Sequence, residues 1–278
     1  MPVRMFRRAG GFVFNTIMAV FSLSCIFPIV WIAYSSLKTK DDFMLNSISL
    51  PTHLQFNNYY KAFVEGEMYK YFISSTLNTL VTVVCVVFLS FCVAYVLSRF
   101  RFRGRNLIYT FFIAGMLIPV YGLIVPLFLQ FKIFGLYDKF YTLILPYIAI
   151  RLSLPIFLLE SFIKTVPVEL DEAAYMDGAS TSYTMTKIVL PICKPIISTV
   201  IILTFLDTWN EFPFSLVLVT KSFLKTLPVG LTNFYGQYTS DYTTLMAAMV
   251  LSILPVMLVY FIFNKNIIQG MTAGAVKG

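Results

Sequence analysis

Glu172–Pro191 reads EAAYMDGASTSYTMTKIVLP, a polar island between long apolar runs. Its fixed points are Glu172-Ala173-Ala174, Gly178, Ile188 and Leu190-Pro191. Pro167 upstream suits a first helical turn, where a missing N–H costs little. Glu169, Asp171 and Glu172 follow, and acids near a helix N-terminus oppose the positive end of its dipole. Ala173 and Ala174 are strong helix formers. Gly178 is placed to cap that helix in the left-handed region. The stretch therefore predicts a short helix over Pro167–Asp177. A second helix, capped by Ser180, Thr181 or Ser182, runs to about Leu190, and Pro191 stops it. The alanines leave one face open to close approach by another protein. The local residues also fit a plain amphipathic linker between two membrane spans.

The flanking sequence decides the class. Charged residues make up 12% of the chain and hydrophobic ones 58%, whereas a soluble domain carries about 25% charged residues. The chain is therefore an all-α polytopic membrane protein. The net charge of +8 does not point to nucleic acid, because the charges lie between apolar segments and not on one basic face. Cys25, Cys85, Cys92 and Cys193 sit in or beside apolar segments without metal spacing, and read as small packing residues. His53 is the one histidine. It has no partner for metal binding or for a Ser/His/Asp constellation. No catalytic or metal site is expected.

Six apolar segments reach the length of about 20 residues that a membrane helix needs: 12–37, 71–97, 106–131, 140–163, 195–220 and 243–263. The first run is longer than a signal-peptide core and no small-residue cleavage site follows, so it reads as a retained span. Arginines 4, 7 and 8 precede span one, and arginines 99, 101, 103 and 105 separate spans two and three. Positive residues favour the cytoplasm. Six spans then place both termini and the 166–191 loop on the cytoplasmic side. Lys38, Lys61 and Lys225 fall on the exterior.

With those residues quoted, the chain resembles the carbohydrate permeases of ATP-binding-cassette (ABC) importers related to the maltose transporter. Glu172-Ala173-Ala174, Gly178, Ile188 and Leu190-Pro191 resemble the EAA loop of such subunits. Val166-Pro167 and Thr208-Trp209-Asn210-Glu211-Phe212 flank it as in the smaller maltose-type permease. Further similar stretches are Leu50-Pro51, Asn58-Tyr59, Ile118-Pro119, Val125-Pro126-Leu127-Phe128, Thr226–Leu231 and the Ala273–Gly278 ending. The resemblance implies a type I importer permease in the inner membrane. Glu172, Ala173, Ala174, Asp177, Gly178, Ile188, Leu190 and Pro191 would couple it to ATPases, with Glu172 anchoring the loop. It implies a second homologous permease, two ATPase subunits and an extracytoplasmic solute-binding protein as partners. ATP and magnesium would bind those ATPases, since this chain has no G-x-x-x-x-G-K-[ST] loop and needs no cofactor. Sugar would be the cargo.

The polar residues within spans bear on the pathway, because charge in a bilayer is expensive. Asp207 and Glu211 lie four apart, hence on one helical face near mid-span, with Asn210 beside them. Three readings stay open: sugar contacts, a gate or subunit contact, or a proton site in a stand-alone ion-coupled transporter. The resemblance favours the first two. Asn78 in span two fits sugar binding or helix packing. Pro119 and Pro126 are spaced to share a face of span three, and Pro146 and Pro155 recur in span four. Prolines free carbonyls that a cavity can satisfy. Arg151 would seek an acid, and Glu160 projects to nearly the opposite face.

Overall fold

A computed structural model of the chain describes the backbone of residues 2–237 and 241–275, and the side chains of 14–234 and 241–263. The side chains of Arg4, Arg7 and Arg8 and of the Ala273–Gly278 ending lie outside the described residues. All regular elements among the described residues are helical. The main helices are α1 (Pro2–Ser35), α2 (Met68–Arg99), α3 (Arg105–Gly115), α4 (Ile124–Ile133), α5 (Ile144–Arg151) and α6 (Ser153–Ile163). They continue with α7 (Glu169–Met176), α8 (Thr181–Ile192), α9 (Lys194–Trp209), α10 (Pro213–Leu218), α11 (Leu227–Gln237) and α12 (Tyr242–Ala275). Among the described residues three helices are long and apolar enough to cross a membrane, and up to six spans result if each bent pair counts as one. The chain divides into two compact units, Met1–Met68 with Leu231–Ile253, and Tyr69–Gly230 with Leu254–Gly278.

In the first unit, the apolar stretch of α1 is exposed along its length, as expected of a face that lipid covers. The segment after α1 folds back on its end. Lys38 is fully buried, and its ammonium donates to the carbonyls of Asn46 at 2.9 Å and Ser47 at 3.1 Å. The Asn58 amide donates to the carbonyls of Ser36 and Lys38, both at 2.8 Å, and Tyr59 shares a 2.7 Å hydrogen bond with Ser36. Asn58-Tyr59 thus ties this loop together.

The second unit holds the site. Its first core joins α2, α6, α8 and α9 through residues such as Phe91, Ala94, Tyr95, Leu159, Val189 and Cys193. Small residues such as Ala94 and Cys193 let helix backbones approach, which matters in lipid, where apolar surface alone gives helices no reason to associate. The second core lies toward the opposite ends of the spans and joins α4, α5 and α10 through Phe131, Tyr147, Phe214 and Leu218.

The spans break where the prolines warn, but not as a shared face. Span three bends by 91° between α3 and the segment that begins at Val120, so Pro119 and Pro126 do not share a helical face. Span four bends by 41° between α5 and α6. Pro126, Pro146 and Pro155 each stand third in their helices. An N–H at that position has no partner inside its own helix, so proline there gives up nothing. Span five is shorter than the expected 195–220. It ends at Trp209, and α10 follows after a break.

At the far end of α2, Ser75 accepts a 2.7 Å hydrogen bond from the Leu227 amide and Ser74 donates to the Leu224 carbonyl at 2.8 Å. This closure brings Gly230 against Tyr71. A Cβ built on Gly230 falls 2.6 Å from the Tyr71 ring, whereas one on Gly122 has nothing nearer than 3.6 Å. Overpacking of this kind costs about 1–3 kcal/mol. Gly230→Ala is therefore expected to lower the thermal midpoint of the solubilised protein, while Gly122→Ala leaves it in place; a fluorescence melt of both variants checks this.

Candidate functional site

The 166–191 loop forms two short helices joined by a tight turn. α7 starts at Glu169, two residues later than Pro167 suggested. It ends in a Schellman motif: the Ala179 amide donates to the Ala174 carbonyl at 2.9 Å and the Gly178 amide to the Tyr175 carbonyl at 3.0 Å. Gly178 has φ +82°, a conformation that a Cβ disfavours by about 1–2 kcal/mol. Ser180 caps α8, accepting from the Tyr183 amide at 3.3 Å.

Pro191 does not stop α8. The helix continues to Ile192, and a 79° bend separates it from α9. The turns before Pro191 are wound as a π-helix over Thr184–Val189. That wider winding absorbs the hydrogen bond and space that proline denies an ordinary α-helix.

The two helices show one face inward and one outward. Asp171 and Ala174 are buried, whereas Glu172, Ala173, Asp177 and Gly178 are exposed. Ile188 and Leu190 are half-buried, and Pro191 is exposed. Between α7 and α8 runs a groove of about 540 Å³ that includes Ala174, Asp177, Gly178, Ala179, Tyr183 and Ile188.

The anchor is Asp171 and not Glu172. The Asp171 carboxylate pairs with the Arg99 guanidinium at 2.9 Å, and each side chain is 5% exposed. The Tyr95 hydroxyl donates to the same carboxylate at 3.0 Å. Arg99 also donates to the Val166 carbonyl at 3.1 Å. The last turn of α2 therefore grips the loop at its entry and in its first helix. The Glu172 carboxylate points away and pairs with nothing among the described residues.

Glu160 forms a second brace. Its carboxylate pairs with Lys164 and lies 3.9 Å from Arg105. Its carbonyl accepts from the Ser98 hydroxyl at 3.3 Å. Two arginines that read as topology markers thus turn inward to hold structure, while Arg101 and Arg103 stay exposed.

The span residues assemble only in part. Asp207, Asn210 and Glu211 all line a cavity of about 520 Å³ that also takes in Arg151, Tyr121 and Gly115. They do not share a helical face near mid-span. Asn210 caps the end of α9, so Glu211 follows the helix instead of continuing it. Asp207 and Asn210 are exposed to the cavity. Glu211 is 6% exposed. It accepts from the Tyr147 hydroxyl and from the amides of Phe214 at 2.7 Å and Ser215 at 3.3 Å. It is the acidic cap of α10, where the helix dipole welcomes a negative charge.

Arg151 donates to the backbone carbonyl of Asp207 at 2.6 Å and lies 4.9 Å from the centre of the Tyr147 ring. Asn78 lies apart, in a different cavity. Its amide donates to the Ser74 carbonyl at 2.8 Å, and its carboxamide oxygen is buried without a partner.

Sequence reasoning missed Asp171, Arg99 and Tyr95. A signal was present: Asp171 and Ala174 are three apart and so share a helical face, the inward one. Which cation would meet Asp171, 72 residues upstream, was not written in any local pattern.

Residues 89–273 match the family described as binding-protein-dependent transport system inner membrane component. The chain is 35% identical over 265 residues to the diacetylchitobiose uptake system permease protein of Streptomyces coelicolor, covering 95% of this chain and 88% of that one. It is 32% identical to the trehalose/maltose transport system permease protein of Thermococcus litoralis, covering 92% and 93%. Its fold matches a chain of the crystal structure of a bacterial ABC transporter involved in the import of the acidic polysaccharide alginate. That match has a TM-score of 0.84 at 23% identity and covers 93% of this chain and 96% of that one. A loop of two braced helices, a set of broken spans and sequence relatives over almost the whole length agree, and the chain belongs to the family of binding-protein-dependent transport system inner membrane components.

Proposed function

We propose that the chain is one of two membrane-spanning subunits of an ATP-driven importer of a sugar or oligosaccharide, fed by an extracytoplasmic binding protein. Family membership supports the importer. The carbohydrate cargo rests on the relatives, whose names are those of diacetylchitobiose and trehalose/maltose systems. A second homologous permease and two ATPase subunits complete the complex, and those ATPases bind ATP and magnesium. Both termini and the 166–191 loop face the cytoplasm, following the arginines beside spans one and two.

One observation carries the mechanism: the loop offers an open groove outward and a buried ion pair inward. Glu172, Ala173, Asp177 and Gly178 form the outward side with Ile188 at the groove, where an ATPase surface docks. Leu190 and Pro191 carry the load into α9. Closure of the ATPases on ATP moves α7 and α8. Arg99 then transmits that movement to α2, and the shared core of α2, α6, α8 and α9 moves with it. The broken spans around Asp207 and Asn210 open alternately to the two sides, and exposed carboxylate and amide groups there accept and donate to sugar hydroxyls. Asn78 serves a separate cavity.

The proton-site reading draws less support. Glu211 is saturated by a hydroxyl and two amides as a helix cap, which leaves Asp207 without the acidic partner that the reading required. Uptake in vesicles is expected to need ATP and to persist when an ionophore collapses the proton gradient. Uptake that follows the gradient and ignores ATP would overturn the importer.

The two faces of α7 separate by mutation. Removing one partner of a buried ion pair costs about 3–5 kcal/mol, so Asp171→Ala should lower the thermal midpoint sharply. Exposed Glu172→Ala should change stability by less than about 0.5 kcal/mol and yet reduce ATPase recovered in a mild pull-down. Gly178→Leu should reach the membrane and lose transport while the ATPases still turn over. Gly178→Asn, a residue that tolerates the left-handed region, should retain part of it. Paired measurements of sugar uptake and ATP hydrolysis in proteoliposomes give the ratio that decides.

A further inference from the structure

The turn between α2 and α3 reads Phe100-Arg101-Phe102-Arg103-Gly104, and a cavity of about 280 Å³ opens on it. Its walls are Arg101, Phe102, Gly104, Arg105, Asn106 and Leu107, with no acid among them. Arg101 and Arg103 are exposed and form no ion pair among the described residues. Arg105 is partly spent: its guanidinium lies 3.9 Å from the Glu160 carboxylate, and its side chain is 25% exposed. Lys164 claims the same carboxylate, and Arg99 holds Asp171. The acids nearby are therefore taken. The turn presents two uncompensated guanidinium groups with a third braced beside them.

The position of the turn decides what meets those charges. Only residues 100–104 lie between the two helices, and a chain that leaves and returns over that length rises at most about 9 Å. The headgroup layer is about 5–8 Å deep on each side of the hydrocarbon. α3 shows apolar side chains outward from its first turn, with Leu107 75% exposed and Phe111 78%. Leu107 stands about 3 Å along the helix axis from Arg105, so the apolar surface reaches the edge of the pocket. The arginines are held at the level of the lipid phosphates, and arginine near a span end reaches for that level.

The make-up of the pocket selects among headgroups. A zwitterionic headgroup brings an ammonium that needs an acid, and the walls hold none. An anionic headgroup brings its phosphate without that burden, and the planar guanidinium fork matches phosphate oxygens in pairs.

We propose that this pocket binds the phosphate of an anionic phospholipid, with its acyl chains along Leu107 and Phe111. Arg101 follows two residues after Arg99, so the lipid is bound at the end of α2 that grips the 166–191 loop. The site rests on the membrane-spanning fold and not on the cargo or on ATP.

The protein is purified from native membranes in neutral detergent with the subunits it carries and is stripped of lipid. Native mass spectrometry then follows binding of added phosphatidylglycerol and phosphatidylcholine. The wild type is expected to bind phosphatidylglycerol roughly three- to thirtyfold tighter. Arg101→Gln with Arg103→Gln should remove most of that preference and leave phosphatidylcholine binding as it was. Arg101→Lys with Arg103→Lys should keep part of it. Lys187→Gln with Lys194→Gln takes two exposed charges from the same end of the spans, outside the pocket, and should leave the preference in place. Equal affinities in the wild type overturn the assignment. An equal fall in both Gln pairs does so too, because diffuse charge then accounts for the preference. Displacement of the lipid by an equal concentration of inorganic phosphate makes the pocket a site for soluble anions and overturns it. Loss of ATPase from the Arg101→Gln, Arg103→Gln preparation with the lipid preference unchanged gives the turn to an ATPase surface and likewise overturns it.

Discussion

The buried pair of Arg99 and Asp171 is the constraint on which the functional end of this protein depends. Both side chains are 5% exposed. Two charges withdrawn from water are tolerated only when their geometry and extra hydrogen bonds repay the desolvation. Here the Tyr95 hydroxyl and the Val166 carbonyl do so. The result is a joint with little freedom. The last turn of α2 and the first turn of α7 are held as one piece, so a force on the loop is a force on the span. The apolar contacts of Val189 and Cys193 with α2 and α6 hold the second helix of the loop to the same piece. Dispersion contacts could slide, whereas the ion pair fixes one register.

The opposite end of the spans is built on interruptions. Helix ends leave backbone donors and acceptors that a bilayer cannot satisfy. Three of the ends here are met by side chains. Glu211 accepts from the amides at the start of α10, Ser75 from the Leu227 amide and Asp138 from the Thr220 and Lys221 amides. Acids and hydroxyls that look like pathway residues are in these cases backbone partners. Among the described residues, Asp207 and Asn210 are exposed at one cavity, and the Asn78 oxygen and the Thr79, Thr82 and Thr208 hydroxyls are buried without a partner.

The same distinction decides between Asp171 and Glu172. They are adjacent acids in one short helix, and helix propensity treats them alike. A rotation of one residue about the axis sends one into the protein and the other into solvent. The inward acid holds the loop, and the outward acid is free for a partner. Fixed spacing along the chain marks the outward surface of the loop, and it says little about what lies behind that surface.

Much was settled by the order of residues alone. Long apolar runs specify membrane helices because lipid satisfies no backbone polar group. Gly178 with its neighbours specifies a turn between two short helices, since a left-handed residue closes α7 in either environment. Only the tertiary structure decided where the spans break. A proline marks a helix start as readily as a kink, and the bends at Pro119 and Leu152 depend on what packs there. Only the tertiary structure moved Glu211 off the face of Asp207, because one cap at Asn210 ends the periodicity from which the face was inferred. And only it joined Asp171 to Arg99. A pair so far apart in sequence meets through the packing of α2 against α6 and α8, and no local pattern carries that distance.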